Sequence, residues 1–223
     1  MDLEFWRNKR VFITGHTGFK GSWLSLWLKN LEVELTGYSL DSSDQKSFFQ
    51  DAKIANGMNS IVGDICDLDS LKQAIIQSKP DIIIHMAAQA LVRDSYSDPI
   101  STYRTNIMGT INVFEAAREC DTVKSIINVT SDKCYENKER ELGYKEDEPM
   151  GGFDPYSSSK GCAELIASAY RNSFFKPEGK INMASVRAGN VIGGGDWSKD
   201  RLIPDAIKAF YNNKKVLIRN PGA

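Results

Sequence analysis

The sequence predicts an α/β protein whose core is a doubly wound, parallel Rossmann sheet with helices on both faces. Three observations predict this fold. Short apolar segments alternate with amphipathic helical segments along the chain. The short segments are apolar on both faces, as a sheet covered by helices on both sides requires. The first of them runs into a glycine-rich turn that opens a helix, which is typical of dinucleotide-binding sheets.

The pattern of apolar residues predicts each element in turn. Buried strands are expected at residues 10–14, 35–40, 59–64, 81–87, 125–130, 183–187 and 216–219. Helices are expected at residues 19–30, 68–78, 100–120, 155–170 and 203–211. Pro155 stands where the first turn of a helix accepts a proline. Residues 139–149 are the most polar stretch and are predicted to form an exposed loop.

Composition excludes several classes of function. The chain has 223 residues, 41% hydrophobic and 26% charged, with a net charge of -1. No basic stripe favours nucleic acid, and no segment approaches the ~20 apolar residues of a membrane span. The four cysteines show neither zinc nor disulfide spacing, and no metal partners surround His16 or His85. The sequence therefore predicts a cytoplasmic protein without a metal, nucleic-acid or membrane partner.

The first strand ends in a glycine-rich turn spaced GxxGxxG, with glycines at Gly15, Gly18 and Gly21. Glycine permits a tight turn and a close approach of the backbone to a pyrophosphate, and the helix that follows supplies free N–H groups. Asp41, twenty positions past Gly21, suits the ribose hydroxyls of NAD and disfavours the 2′-phosphate of NADP. Two alternatives are incidental glycines in a strand–helix turn, and a solvated Asp41 in a loop that also holds Asp44.

A tyrosine and a lysine four residues apart, Tyr156 and Lys160, open a predicted helix. Residues at this spacing lie on one face. A lysine ammonium beside the phenol lowers its pKa from the reference value of about 10. The phenolate is then a candidate general base near neutral pH.

Taken with the glycine turn, this pair resembles the short-chain dehydrogenase/reductase family, in its extended branch that acts on nucleotide sugars. The resemblance runs from Lys9 to the end of the chain. It is carried by HMAAQ (85–89), NIMGT (106–110), TSDK (130–133), PYSSSK (155–160) and RAGNVIGGGDW (187–197). Within that branch, the stretches GHTGFKGSWL, TSDKCYEN and EPMGGFDPYSSSKGCAE are similar to enzymes that dehydrate CDP-glucose at carbons 4 and 6.

The resemblance implies the catalytic residues. Ser131 bonds the sugar and assists Tyr156, which takes the proton of the glucose 4-hydroxyl while hydride leaves C4 for NAD⁺. Lys133 removes the C5 proton as a neutral amine, and protonated Asp132 donates to the leaving 6-hydroxyl before hydride returns to C6. Asp132 and Lys133 need opposite pKa shifts, and one proton shared by the pair is a solution. The alternative is an exposed turn after the strand.

The resemblance also implies binding residues, each with an alternative. Contacts to NAD are expected from Gly15, Thr17, Gly18, Phe19, Gly21, Asp41, Asp64, Ile65, Ala87, Asn106, Tyr156 and Lys160. Contacts to the nucleotide sugar are expected from Gln89, Arg93 and Asn190. Asp64 could instead cap the next helix, Asn106 could be an ordinary polar helix residue, and Arg93 could form a surface ion pair.

The resemblance further implies a domain division and an assembly. Residues 1–187 are predicted to form the NAD-binding Rossmann domain with the catalytic residues. Residues 188–223 are predicted to begin a substrate-binding region that is truncated here. A homodimer is expected through helices 100–120 and 155–170, whose outer faces are predicted to carry Tyr103, Met108, Val113, Phe114, Ile166 and Tyr170.

Two competing functions remain at the level of sequence. A nucleotide-sugar epimerase or reductase of the same family is disfavoured by Asp132–Lys133, which those reactions do not need. A dinucleotide-binding module without catalysis is disfavoured by Ser131, Tyr156 and Lys160, since a binder needs no activated phenolate.

Overall fold

A computed structural model describes residues 3–41, 46–218 and 221. The described strands form one parallel sheet of six in the order β3-β2-β1-β4-β5-β6. The strands are β1 (Arg10–Thr14), β2 (Glu34–Ser39), β3 (Asn59–Val62), β4 (Ile82–His85), β5 (Ser125–Val129) and β6 (Asn182–Val186). This order reverses between β1 and β4, as in dinucleotide-binding sheets. The predicted doubly wound fold is confirmed.

Nine α-helices flank these strands within the described residues. They are α1 (Phe19–Lys29), α2 (Phe48–Asp51), α3 (Leu68–Ser78), α4 (Val92–Ser97), α5 (Pro99–Tyr103), α6 (Gly109–Arg118), α7 (Pro155–Tyr170), α8 (Lys176–Glu178) and α9 (Leu202–Tyr211). The predicted helices 19–30, 68–78, 155–170 and 203–211 agree with these bounds to within a residue. The short α2 and α4 were not predicted, because segments of four and six residues carry too little periodicity.

The sheet is buried on both faces, and alternate residues of β1 show this. Phe12 packs in one apolar cluster with Ile83, Ile126 and residues of α3, α6 and α7. Val11 and Ile13 pack on the opposite face in a second cluster with Leu28 of α1. Because successive strand side chains point to opposite faces, both clusters need apolar residues from the same strand.

The predicted helix 100–120 is interrupted. It consists of α5, a π-helical turn over Arg104–Met108 and α6. Residues assigned to its outer face are also placed differently from the prediction. Val113 and Phe114 are completely buried against the sheet, so their assignment to an outer face was wrong. Tyr103 and Met108 are exposed, whereas Ile166 and Tyr170 of α7 are half-buried and pack against the core cluster. The bulged turn shifts the register of the apolar stripe, which an ideal helical period does not anticipate.

The C-terminal part departs most from prediction. Residues 214–218 form no strand, and Arg219, the last residue of the expected strand, lies outside the described residues. The apolar Leu217 and Ile218 are exposed, since no neighbouring strand in the described part pairs with them. β6 ends at Val186, next to the boundary predicted at 187/188, and that division stays a prediction.

No helix among the described residues is long and apolar enough to cross a membrane. They also contain no cluster of three or more His, Cys, Asp or Glu side chains with the geometry of a metal site.

Candidate active site

The glycine turn joins β1 to α1 at the point where the strand order reverses. Gly15 has φ +76° and donates its N–H to the carbonyl of Tyr38 at 2.8 Å. A Cβ at this position would lie 2.7 Å from the backbone nitrogen of Ala87, and a Cβ at Gly21 would lie 2.1 Å from the carbonyl oxygen of Gly15. The turn therefore requires glycine at both positions.

This turn fits a dinucleotide pyrophosphate. Gly18 is the N-cap of α1 and has no side chain to bond the first N–H groups of that helix. Free N–H groups and the positive end of the helix dipole form a ready anion site. Phe19 begins the helix, and Thr17 bonds Ser39 at the end of β2 through its hydroxyl at 2.8 Å. The residues expected at the pyrophosphate are thus brought together.

The residues expected at the adenosine half lie along the ends of β2 and β3. Asp41 is exposed and follows β2 by two residues, whereas Asp44 lies outside the described residues. Asp64 follows β3, and its carboxylate accepts the N–H of Cys66 at 2.9 Å. α3 is capped by Asp67, so the alternative that Asp64 caps this helix is wrong. Ile65 is buried after Asp64.

Asn106 links the cofactor side of the cleft to the helix that carries the tyrosine. Its amide oxygen accepts the N–H of Gln89 at 2.9 Å, and its amide nitrogen donates to the Gln89 carbonyl at 3.0 Å. The same nitrogen donates to Ser159 at 2.8 Å, and Ser159 donates to the carbonyl of Tyr156 at 2.7 Å. The alternative of an ordinary polar helix residue is wrong, because Asn106 is buried and holds two segments of backbone.

His85 extends this network to the glycine turn. The Thr110 hydroxyl donates to the carbonyl of Asn106 at 2.7 Å, so its oxygen accepts the Nε2–H of His85 at 3.0 Å. His85 Nδ1 therefore accepts the hydroxyl proton of Thr14 at 2.7 Å. Burial lowers the pKa of His85 to about 3, so the imidazole is neutral. Thr14 also accepts the N–H of Ala87 at 3.1 Å, which fixes the loop after β4.

Four of the predicted catalytic residues come together at the carboxyl end of β5: Ser131, Asp132, Lys133 and Tyr156. Asp132 and Lys133 lie in a 3₁₀ turn that Ser131 caps by accepting the N–H of Lys133 at 3.2 Å. Ser131 donates to Asp132 Oδ1 at 3.1 Å, and Nζ of Lys133 lies 3.6 Å from the same oxygen. The side chains of Asp132 and Lys133 are 50% and 40% exposed, so solvent and a ligand both have access.

The pKa of Tyr156 differs in direction from the expectation. Burial raises it, while a hydrogen bond from Ser131 opposes the rise and the charge of Asp132 adds to it. Burial likewise lowers the pKa of Lys160 to about 8, and the charge of Lys20 lowers it further. The expectation considered the ammonium of Lys160 alone, but removing the phenolate from water raises the pKa of Tyr156 by more than Ser131 and Arg201 lower it.

A buried ion pair between Glu164 and Arg187 joins the segments that carry the site. Arg187 donates from Nε and a terminal nitrogen to both carboxylate oxygens of Glu164, at 3.0 and 2.9 Å. Thr130 also donates to Glu164, and Arg187 donates to the Tyr135 hydroxyl at 2.8 Å. Four segments of the site are thereby joined: the end of β5, the turn after it, α7 and the end of β6. Arg187 holds the pKa of the Glu164 carboxyl below its usual range despite burial.

The residues expected to contact the nucleotide sugar are brought together less clearly than those expected to contact NAD. Gln89 uses its amide in contacts within the protein: it donates to the Leu91 carbonyl and to the Thr102 hydroxyl, both at 3.0 Å, and accepts the N–H of Leu91 at 2.5 Å. Arg93 forms an exposed ion pair with Asp200 at 3.2 Å, which is the alternative considered for it. Asn190 lies exposed in the loop after β6. A cleft of about 1100 Å³ nearby is lined by Asp132, Lys133, Tyr135, Tyr144, Phe153 and Arg187, among others.

Sequence reasoning missed three features. Glu164 lies four residues after Lys160 on the buried face of α7, and an acid in the spacing YxxxKxxxE could have been noticed. The cations Lys20 and Arg201 influence the pKa values of Lys160 and Tyr156 from distant parts of the chain, which no local pattern reveals. Trp23 donates its indole N–H to the Gly194 carbonyl across 171 positions, a contact that no local pattern reveals.

Comparison with known proteins tests the resemblance. The model of the NAD dependent epimerase/dehydratase family matches residues 11–223, nearly the whole chain. The chain belongs to this family. NAD, the cofactor expected from the glycine turn, is thus the cofactor of its family.

A curated relative narrows the comparison. CDP-glucose 4,6-dehydratase from Salmonella typhimurium is 56% identical over 225 residues, which cover 99% of this chain and 63% of the relative. The chain therefore spans less than two thirds of the length of this relative. The resemblance to dehydratases that act on CDP-glucose is confirmed.

Solved structures agree with the fold. UDP-glucose 4-epimerase from Brucella ovis, in complex with NAD, superimposes with a TM-score of 0.78 at 25% identity over 95% of this chain and 63% of its own. A dTDP-glucose 4,6-dehydratase from Streptomyces venezuelae superimposes with a TM-score of 0.80 at 22% identity, over 92% and 62% of the two chains. The latter likeness concerns the fold alone.

Proposed function

We propose that this chain carries the cofactor-binding and catalytic part of an NAD-dependent lyase. The reaction is the intramolecular dehydration of CDP-glucose to CDP-4-keto-6-deoxyglucose. One observation supports it above the others: an acid–base pair, Asp132 and Lys133, stands beside the hydroxyl of Ser131, which is close enough to Tyr156 to oppose the rise in its pKa. Dehydration needs a second acid and base, whereas oxidation alone needs only the tyrosine. The identity to the Salmonella dehydratase supports CDP-glucose as substrate.

The residues divide the proton transfers among them. Tyr156, as phenolate, takes the proton of the 4-hydroxyl, and Ser131 holds that hydroxyl in place. When bound, NAD supplies an acceptor for the hydride from C4 and, once reduced, a donor of that hydride to C6. The 4-ketone acidifies the C5 proton, which Lys133 takes as a neutral amine.

The elimination then completes the proton balance. Asp132 gives its proton to the 6-oxygen, which leaves as water, and Lys133 returns its proton to C5. Over the reaction, Tyr156 gains one proton and Asp132 loses one. The transfer of one proton from Tyr156 to Asp132 therefore restores the enzyme. The 3.6 Å separation of Asp132 and Lys133 suits acid and base working on adjacent carbons of one substrate.

A redox-neutral epimerase is the second candidate, favoured by the likeness to the Brucella epimerase. The two are distinguished by incubating CDP-glucose and NAD⁺ with this chain fused to the C-terminal part of the Salmonella relative. Dehydration gives a 4-keto sugar that absorbs in alkali, whereas epimerisation gives an isomer of unchanged mass. A mass lower by one water supports the proposal, and an unchanged mass with a new stereoisomer contradicts it.

The chain by itself is proposed to bind NAD but to dehydrate slowly. Remote binding energy from the nucleotide positions the sugar, and losing such contacts lowers turnover as well as affinity. The relative has a further third of its length in which those contacts can reside. Turnover by residues 1–223 equal to that of the fused chain would contradict this part of the proposal.

A homodimer is proposed through α5, the π turn and α7. Ile100, Tyr103, Met108 and Leu165 are exposed apolar residues on these elements. Tyr103 and Ser158 share a hydrogen bond of 2.7 Å, so the two elements form one continuous surface. Sedimentation at micromolar concentration is expected to give a dimer, and Met108→Glu is expected to shift it to monomer. A monomeric unaltered chain would contradict the proposal.

A further inference from the structure

The loop of residues 189–197, which follows β6, crosses the carboxyl edge of the sheet. It starts beside the acid–base pair, where the N–H of Asp132 donates to the Ala188 carbonyl at 3.2 Å. It ends against α1, where Gly193 and Gly194 meet Phe19 and Trp23. β5 and α1 lie on opposite sides of the crevice between β1 and β4. The loop therefore spans the crevice where sheets of this topology bind their ligands.

The contact at the far end of the loop is specific. Trp23 donates its indole N–H to the Gly194 carbonyl at 2.9 Å, and its ring stacks on Phe48 at 4.4 Å between centroids. A Cβ at Gly195, which has φ +80°, would lie 2.5 Å from Cβ of Phe48. Lys46 reinforces the contact by placing Nζ 3.9 Å from the ring centre of Trp197. Contacts of two tryptophans, Trp23 and Trp197, thus join α1, residues 46–48 and residues 194–197.

The loop is short between its two attachments. Five residues, 189 to 193, lie between the anchor at Ala188 and Gly194, which accepts the bond from Trp23, and the chain from Ala188 to Gly194 spans at most about 20 Å when extended. Neighbouring strands are ~4.8 Å apart, so this length is enough to cross β4 and β1. Trp23 holds the end of the loop on the side of the glycine turn, so releasing Trp23 frees the loop there.

We infer that Trp23 is a positioning residue that fastens the loop of residues 189–197 across the β1–β4 crevice and thereby slows the release of bound NAD. The inference rests on the proposed function, in which one NAD serves a complete turnover and gains from slow release. Trp23 itself need not touch the cofactor, because its bond and its stacking act on the loop and on Phe48.

The test is the dissociation rate of NADH, measured by loading the chain with NADH and displacing it with excess NAD⁺ while following NADH fluorescence. Trp23→Phe keeps an aromatic ring but loses the N–H, and we expect release a few-fold faster. Trp23→Ala loses both contacts, and we expect release on the order of tenfold faster. Gly195→Ala disturbs the contact from the loop side, leaves α1 intact and is expected to act in the same direction.

Trp27→Ala is the matched control. Trp27 lies one turn further along α1 and is 47% exposed, against 45% for Trp23. Its removal is expected to leave the rate of release unchanged. Thermal melts report whether each variant folds. A larger increase in the release rate for Trp23→Ala than for Trp23→Phe separates the fastening of the loop by Trp23 (the latch) from a general loss of stability.

The outcomes separate the latch from the function. Equal release rates in all variants, with the unaltered chain binding NADH, would overturn the latch and leave the proposed function standing. Failure of the unaltered chain to bind NADH would overturn the cofactor role of this chain, and the latch with it. Faster release in Trp27→Ala to the same extent as in Trp23→Ala would also overturn the latch.

Discussion

Nζ of Lys133 lies 3.6 Å from Oδ1 of Asp132, and the same oxygen accepts the hydroxyl proton of Ser131 at 3.1 Å. Ser131 has a single proton, and its hydroxyl is close enough to Tyr156 to oppose the rise in the pKa of that phenol. The hydroxyl can donate its proton to a charged Asp132 carboxylate or to a charged Tyr156 phenolate, and its oxygen can accept the proton of a neutral phenol. In the reaction proposed above, this arrangement would link the oxidation step at Tyr156 to the elimination step at Asp132 and Lys133.

The first prediction separates these two steps in the fused chain described above. Lys133→Met should leave the first hydride transfer largely intact and block elimination, because the C5 proton is acidic only after the ketone has formed. Tyr156→Phe should suppress oxidation itself by on the order of a hundredfold or more, as expected for loss of a general base. Single-turnover absorbance of NADH measures both. If Lys133→Met abolishes NADH formation as completely as Tyr156→Phe, the role given to Lys133 is wrong.

The second prediction concerns the charge buried at Lys160. Its pKa falls from 10.5 to about 8 on folding, so the folded state binds fewer protons than the unfolded state between these values. The free energy of unfolding should therefore rise with pH from about 8 to 10.5, by on the order of 3 kcal/mol. Lys160→Met should abolish this rise and stabilise the fold at pH 7, while removing activity.

Urea denaturation across this pH window measures the effect. Tyr156→Phe is the control, because it leaves Lys160 in place and should keep the pH dependence that Lys160 causes. A Lys160→Met variant that is less stable than the unaltered chain at pH 7 would show that the ammonium has a stabilising partner in the fold.

Much of this site could be predicted from the sequence because its local patterns are strict. The glycine spacing reflects a single turn between a strand and a helix, formed by Gly15, Gly18 and Gly21. The four-residue step from Tyr156 to Lys160 reflects one turn of a helix. Long-range contacts such as those of Trp23 with Gly194 and Arg187 with Glu164 have no such period. The burial of Val113 and Phe114 was missed for another reason, since a π turn changes the helical phase that the prediction assumed.

The third prediction tests the buried pair of Glu164 and Arg187. Arg187→Met leaves a buried carboxylate without its partner, and should cost on the order of 3 kcal/mol of unfolding free energy. The double variant Glu164→Gln with Arg187→Met should recover part of that loss, because no unpaired charge remains. Urea denaturation at neutral pH measures all three chains. A double variant that is less stable than Arg187→Met alone would contradict the account of this pair.

The fourth prediction concerns the choice of cofactor. Asp41 follows β2 at the position where an acid suits the ribose hydroxyls and repels a 2′-phosphate. Calorimetric titration should show tighter binding of NAD⁺ than of NADP⁺, and Asp41→Asn should narrow the difference. Equal affinity of the unaltered chain for both dinucleotides would contradict the role of Asp41.

The central claim is that hydride taken from C4 returns to C6 of the same sugar while water is lost. The most direct measurement uses CDP-glucose deuterated at C4, incubated with the fused chain and NAD⁺, with the product analysed by mass spectrometry and NMR. The account predicts a 4-keto-6-deoxy product that has lost one water and carries the deuterium on C6. A product without deuterium at C6, or an epimer that has lost no water, would contradict it.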